Sequence, residues 1–151
     1  MLKELIIASL WSISPLGEAK VGIPYGIYTG ANPYAVLLVC FVANILVFPL
    51  MLFFLESVNN QLLQWRFYKV NAVKVAQRAK KSTKSNLDKY GFWGLLFFVM
   101  IPVPGTGVYA GTIAAFILKV ERKKAFWANC IGILISSLIV WVTTLFATNF
   151  I

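Results

Sequence analysis

The sequence predicts an all-α integral membrane protein. The expected architecture is an inverted repeat of a re-entrant helical hairpin plus a transmembrane helix, with a basic amphipathic linker helix between the halves. Three observations carry this reading. Apolar residues make up 60% of the chain and mean hydropathy is +0.78, well above a soluble domain. Two uncharged runs, Tyr34 to Leu55 and Ala125 to Thr148, are each long enough to cross a bilayer. Two further apolar regions are interrupted by proline and glycine, at Ser14 to Gly26 and at Met100 to Thr112. Broken backbone at membrane depth is tolerated only where protein packs around it or where it lines a water-filled cavity. The 151 residues therefore read as one membrane domain, with repeat one over about 1–56, the linker over about 57–89 and repeat two over about 90–151.

In chain order, Leu5 to Ile13 is apolar but reaches only about halfway across a hydrocarbon core of roughly 30 Å at about 1.5 Å per residue. Lys3 and Glu4 before it do not resemble the start of a cleaved signal peptide. The first broken stretch follows, holding Pro15, Gly17, Glu18, Lys20, Gly22, Pro24 and Gly26. Gly30-Ala31-Asn32-Pro33 reads as a turn, with Pro33 suited to the first turn of the next helix. Pro49 predicts a kink in the span from Tyr34 to Leu55. Eight of the 14 basic residues fall between Glu56 and Lys89, among Leu62, Leu63, Trp65, Phe67 and Tyr68, a mixture that favours an interfacial amphipathic helix over a solvated linker. Tyr90 to Leu118 is apolar and holds the second broken stretch, Lys119 to Lys124 is a short charged loop, and the second uncharged span completes the pattern.

Sliding the chain on itself by 85 residues places Gly22 and Gly26 on Gly107 and Gly111, and Ala43-Asn44 on Ala128-Asn129. Paired interrupted segments at corresponding positions are the sequence signature of repeat-built transporters. Charge discriminates between topologies. If both broken stretches are re-entrant, the linker and the 119–124 loop share one face and twelve of the 14 basic residues lie there; if both are full spans, the charges divide eight against four. The positive-inside rule prefers the first arrangement, with 57–89 and 119–124 cytoplasmic and both termini outside, in the plasma membrane of a prokaryote.

The candidate site lies where the two hairpins meet. Glu18 and Lys20 are the ionisable side chains expected inside the membrane, where a charge costs about 2.5–3.5 kcal/mol and requires a partner, a water-filled cavity or a substrate. Glu18 is suited to carry a coupling proton, and Lys20 to attract an anionic group. Residues 18 and 20 do not face one another on a regular helix, so a direct pair would need irregular backbone. In the second hairpin Pro102, Pro104, Gly105, Thr106 and Gly107 can expose successive backbone N–H groups, and a half-helix beginning near Thr106 would aim its positive end at the cavity. The same residues would also serve simply to turn the chain and allow close helix packing. Tyr25 and Tyr109 can supply hydroxyls or anchor at the lipid interface. Asn44 and Asn129 either bond across helices or line the cavity, and Thr112 is expected to bond back to its own helix.

The chemistry this excludes is equally informative. The chain has no His, and Cys40 and Cys130 lie in apolar runs, so a metal site and a disulfide framework have no support and the cysteines read as packing residues. With no nucleophile beside a base and no paired carboxylates, an enzyme is not expected, nor is any cofactor. The basic excess, 14 Lys and Arg against 5 acids, fits topology and contact with anionic membrane lipid, and no nucleic-acid module is visible.

Glu18-Ala-Lys-Val-Gly-Ile-Pro24-Tyr-Gly26 together with Ile101-Pro-Val-Pro-Gly-Thr-Gly107 resembles the small multidrug export family, which is in turn similar to the DedA-like (VTT-domain) membrane proteins. The likeness runs from about Pro15 to Thr148 and includes Asn44 and Pro49. It implies two opposed re-entrant hairpins with spanning helices and a transport role, with DedA-like relatives associated with polyprenyl phosphates and other lipids. Glu18 matches the acidic position of the first motif. Lys20 stands where the family commonly has Arg, keeping the charge without the bidentate fork that suits phosphate. The expected function is thus a secondary, proton-coupled carrier for an anionic amphiphile such as a lipid phosphate. The alternatives are an exporter of hydrophobic cations and a non-transporting protein that organises lipid. Two full spans hardly enclose a pathway, so a homo-oligomer, a dimer on symmetry grounds, is expected.

Overall fold

The computed structural model describes residues 2–62, 84–102 and 107–149, and its regular elements there are all helices. Helix α1 spans Leu2–Ile13, α2 Glu18–Tyr28, α3 Pro33–Leu62, α4 Lys84–Met100, α5 Val108–Ile117 and α6 Arg122–Asn149. Local chemistry explains most of the boundaries. Pro15 disfavours helical backbone at Ser14, which ends α1. At the end of α2, Gly30 takes a φ of 83°, the Ala31 N–H donates to the Gly26 carbonyl (3.1 Å) and the Gly30 N–H to that of Ile27 (3.1 Å), a Schellman closure that satisfies the last carbonyls. Asn32 then caps α3, its Oδ1 accepting from the N–H groups of Tyr34 (3.0 Å) and Ala35 (3.3 Å) with Pro33 at the first helical position.

The end of α5 repeats the closure. The Val120 N–H donates to Ala115 (3.0 Å) and the Lys119 N–H to Phe116 (3.3 Å), with Lys119 at a φ of 55° in the position Gly30 holds in the first half. Gly30 and Lys119 are 89 residues apart, as are Pro33 and Arg122, the first residues of the two long helices. The two asparagines match at 85. The two loop-to-helix transitions are therefore alike, and their spacing differs from that of the asparagines by about one helical turn.

Helix extends beyond two of the expected boundaries. The helix that begins at Pro33 runs through Pro49 and past Leu55 to Leu62, and α4 begins at Lys84, so both ends of the supposed 57–89 linker belong to the flanking helices. Helix persists there because Glu56 to Leu62 carries no proline or glycine to stop it. The amphipathic reading of the segment between falls on 63–83, outside the described residues.

Within each half the three helices pack on one another, and between halves α2 packs on α6, α5 on α3, and α3 on α6. Helices α3 and α6 run antiparallel. At one end Trp141 Nε1 donates to the Pro33 carbonyl (3.0 Å) and stacks its ring near Tyr34 at 5.4 Å; at the other, Arg122 pairs with Glu56 at 2.7 Å. The 119–124 loop and the C-terminal part of α3 consequently lie at the same end of the molecule.

The surface is sorted inside out relative to a soluble domain. Along α3 the exposed large apolar side chains include Tyr34, Leu38, Val42, Leu46, Leu50 and Phe54, one helical stripe. On α6 the large apolar Trp127, Ile131, Leu134, Leu138 and Phe146 are exposed, whereas Ala125, Ala128, Asn129, Ser136 and Ser137 are buried. Small and polar residues at helix contacts with apolar side chains turned outward is the pattern a lipid solvent selects. Both α3 and α6 are long and apolar enough to cross a membrane.

Candidate functional site

The turn from Ser14 to Gly17 delivers Glu18 to the first position of α2. The N–H groups of Gly17 and Glu18 both donate to the Ser14 carbonyl (3.2 and 3.0 Å), and Glu18 adopts a φ of 53°, left-handed backbone that a residue with a side chain rarely takes. This irregularity makes the short-range pair geometrically possible. Lys20 Nζ lies 3.5 Å from Glu18 Oε2, with the two side chains 10% and 5% exposed. The expectation that a direct 18–20 pair needs non-helical backbone is met at Glu18 itself.

Glu18 also faces the other half of the chain. Gly107 is the N-cap of α5 and brings no side-chain cap, and a Cβ added there would overlap the Glu18 carboxylate. The backbone N–H of Tyr109, in the first turn of α5, is directed at that carboxylate, and the Tyr109 hydroxyl donates to the carbonyl of Ile13, the last residue of α1. The positive end of α5 is thus met by a carboxylate, as helix termini favour. That carboxylate is the protein's own, from 89 residues earlier in the chain.

A small cavity of about 10 Å³, room for roughly one water-sized group, opens beside this contact. Glu18, Lys20, Asn44, Gly107, Ser136 and Ser137 supply its polar lining, with Val99 and Ile133 among the apolar walls. The side-chain oxygens of Asn44 (Oδ1), Ser136 and Ser137 are buried and find no hydrogen-bond partner among the described residues. The two serines are the residues that sequence reasoning passed over. Their signal was spacing: Asn129, Ser136, Ser137 and Thr144 recur at seven, eight and fifteen residues, one face of an otherwise apolar helix.

The other candidates distribute as follows. Asn44 lines the cavity, whereas Asn129 does not; its Nδ2 donates to the Ala125 carbonyl of its own helix (2.9 Å) and its Oδ1 lies against Gly111. Of the two roles open to the asparagines, lining the cavity is the one Asn44 takes, while Asn129 bonds within its own helix. Pro24 sits within α2, where it removes a rung of the helix ladder, and is not part of the cavity lining. Pro102 is exposed just past α4, and Pro104, Gly105 and Thr106 lie outside the described residues. Thr112 donates back to the Val108 carbonyl (2.6 Å), as expected. Tyr25 packs, partly buried, against the core of the first half. Cys40 and Cys130 are free thiols, and that of Cys40 is buried beside the Ala8 carbonyl at 3.7 Å.

A family model described as "Putative small multi-drug export protein" matches residues 18–139, most of the chain and every residue of the cavity lining. No curated protein and no solved structure matches.

Proposed function

We propose, starting from the premise that this membrane protein belongs to the small multi-drug export protein family, that it is a secondary carrier whose gate is the contact between Glu18 and the N-terminus of α5. The observation that supports this best is the position of the carboxylate, shared between Lys20 and the Tyr109 amide in the first turn of α5. In this reading α1–α2 and α4–α5 are re-entrant hairpins entering from opposite faces, the two halves have inverted topology, and α3 and α6 are the spanning helices. The exchange of partners supports the symmetry, since α2 packs on the long helix of the second half as α5 does on that of the first.

The seat made by Lys20 and the α5 amides suits an anionic head group, such as a lipid or polyprenyl phosphate. The Glu18 carboxylate lies at this seat, and in this reading it competes with the anion. An arriving anion is accepted when Glu18 takes a proton and its carboxyl leaves the seat, so proton and anion move together, and closure follows when the proton departs. A cavity of about 10 Å³ admits no head group, which is what a closed gate requires in this reading. Transport of hydrophobic cations, the sense of the family's name, is the competing reading; Lys20 beside the carboxylate weighs against it by charge repulsion.

Flux of a fluorescent lipid phosphate and of a cationic dye in proteoliposomes, with and without a pH gradient, tests the proposal. Lipid-phosphate flux that follows the gradient and is lost in Glu18→Gln and Lys20→Met, with both variants folded, is the expected outcome. Dye flux in its place would favour cation export. No flux with either probe, together with lipid binding that depends on Lys80, Lys81 and Lys84, would make the protein a membrane organiser. Cysteine labelling is expected to find residues 57–89 and 119–124 on the cytoplasmic side and both termini outside; labelling of the two segments from opposite sides would defeat the re-entrant topology. A carrier with two full spans needs a second copy to enclose its path, so detergent-corrected mass is expected to give a homodimer.

A further inference from the structure

Ser136, Ser137 and Asn44 have no part in the seat formed by Lys20 and the N-terminus of α5, yet from the long helices they line one cavity with Glu18. Their exposures are 4%, 1% and 3%, and the oxygens named above are unpartnered among the described residues. Leaving a buried polar atom unsatisfied costs about 1–3 kcal/mol, and here three such atoms, from two different helices, line one small space. A buried water typically requires two to four polar partners and roughly this volume. A sodium ion would fit by size and by its oxygen donors, but Lys20 already balances the single carboxylate, and a further cation would leave the buried cluster with net positive charge. A neutral occupant carries no such penalty.

We propose that this cavity is a water site and that the bridging water, with Ser136 and Ser137, is the route by which Glu18 exchanges its proton. Asn44 Oδ1, an acceptor only, orients the water by receiving one of its hydrogens. The transfer balances as a relay. The Glu18 O–H bond breaks as its proton joins the water oxygen, that oxygen releases another proton to a serine hydroxyl, and the hydroxyl passes its own onward to bulk water. Each relay oxygen gains one proton and loses one, so charge changes only at Glu18 and in the solvent. The serines lie mid-helix on the same polar face of α6 as Asn129 and Thr144.

The inference rests on Glu18 being the proton carrier of the proposed function, and infrared spectroscopy of the full-length protein in liposomes separates the two claims. Subtracting the spectrum of Glu18→Gln from that of the wild type isolates the Glu18 carboxyl, and a pH jump times its proton exchange. The expected result is that Ser136→Ala and Ser137→Ala, which remove one oxygen and no volume, shift the carboxyl band and slow exchange about tenfold each, the scale of one hydrogen bond. Thr143→Ala, an exposed hydroxyl bonded to its own helix, is expected to change neither. A wild-type band and rate in both serine variants overturns the relay while leaving Glu18 as carrier. Absence of any titrating carboxyl in the wild-type minus Glu18→Gln difference overturns the carrier reading itself. Stabilisation by sodium chloride over choline chloride, lost in Ser137→Ala, would replace the water with a cation.

Discussion

Gly107→Ala is expected to lower stability by about 3 kcal/mol, the range set by overpacking a tight contact and by breaking a buried ion pair. The added methyl falls on the Glu18 carboxylate, which must swing away. Moving that side chain is easy sterically and expensive electrostatically. It surrenders Lys20 and the Tyr109 amide together, leaving one buried charge without a cation and one helix start without an anion. The contact also bridges the halves, so the loss loosens the junction as a whole. Thermal unfolding of Gly107→Ala, Glu18→Ala and the double variant measures the coupling. The cost of the alanine at 107 is expected to shrink to within about 1 kcal/mol once the carboxylate is gone, as for any pair that interacts directly. An undiminished cost in the Glu18→Ala background would show that the glycine is needed for backbone reasons and that the carboxylate contact is incidental.

Lys20→Met is the second large effect. Methionine fills a volume close to that of the lysine stem and removes the cation, and truncating one partner of a buried pair costs about 3–5 kcal/mol. Most of that is the penalty of the carboxylate left behind, so Glu18→Gln/Lys20→Met is expected to recover much of the loss, and Lys20→Arg to behave almost as wild type. Denaturation in detergent checks the stability and proteoliposome flux the function. The double variant separates the two roles, since it is expected to be folded and inactive. A single Lys20→Met variant as stable as wild type would mean that the pair, at 3.5 Å, contributes little and that Lys20 faces water. The contrast with Arg122 and Glu56 is instructive. That pair is shorter, at 2.7 Å, but the Arg122 side chain is 74% exposed, and exposed pairs contribute at most about 1 kcal/mol. Burial, and not distance, decides which of the two matters.

The all-helical class, the two long apolar helices and the interruptions were all legible in the amino acids themselves. Each depends on a local quantity. Hydropathy over some twenty residues selects the solvent of a helix, and proline and glycine break the backbone wherever they occur. Asn32-Pro33 announced the start of α3 for the same reason, because a cap and its helix are neighbours in sequence.

What the fold alone decided are relations between distant residues. The α5 N-terminus was expected to aim its positive end at a cavity, and the group it meets is Glu18, placed there because the start of α2 lies against the N-cap of α5. Nothing near Gly107 in the chain could announce a partner 89 residues away. Ser136 and Ser137 sit among leucines and isoleucines that face outward, and whether a hydroxyl on such a helix meets lipid or core depends on which neighbours cover that face. Composition selects the medium a helix lives in. The side it turns inward, and hence the polar atoms brought to the carboxylate, follows from packing against elements that the local sequence does not contain.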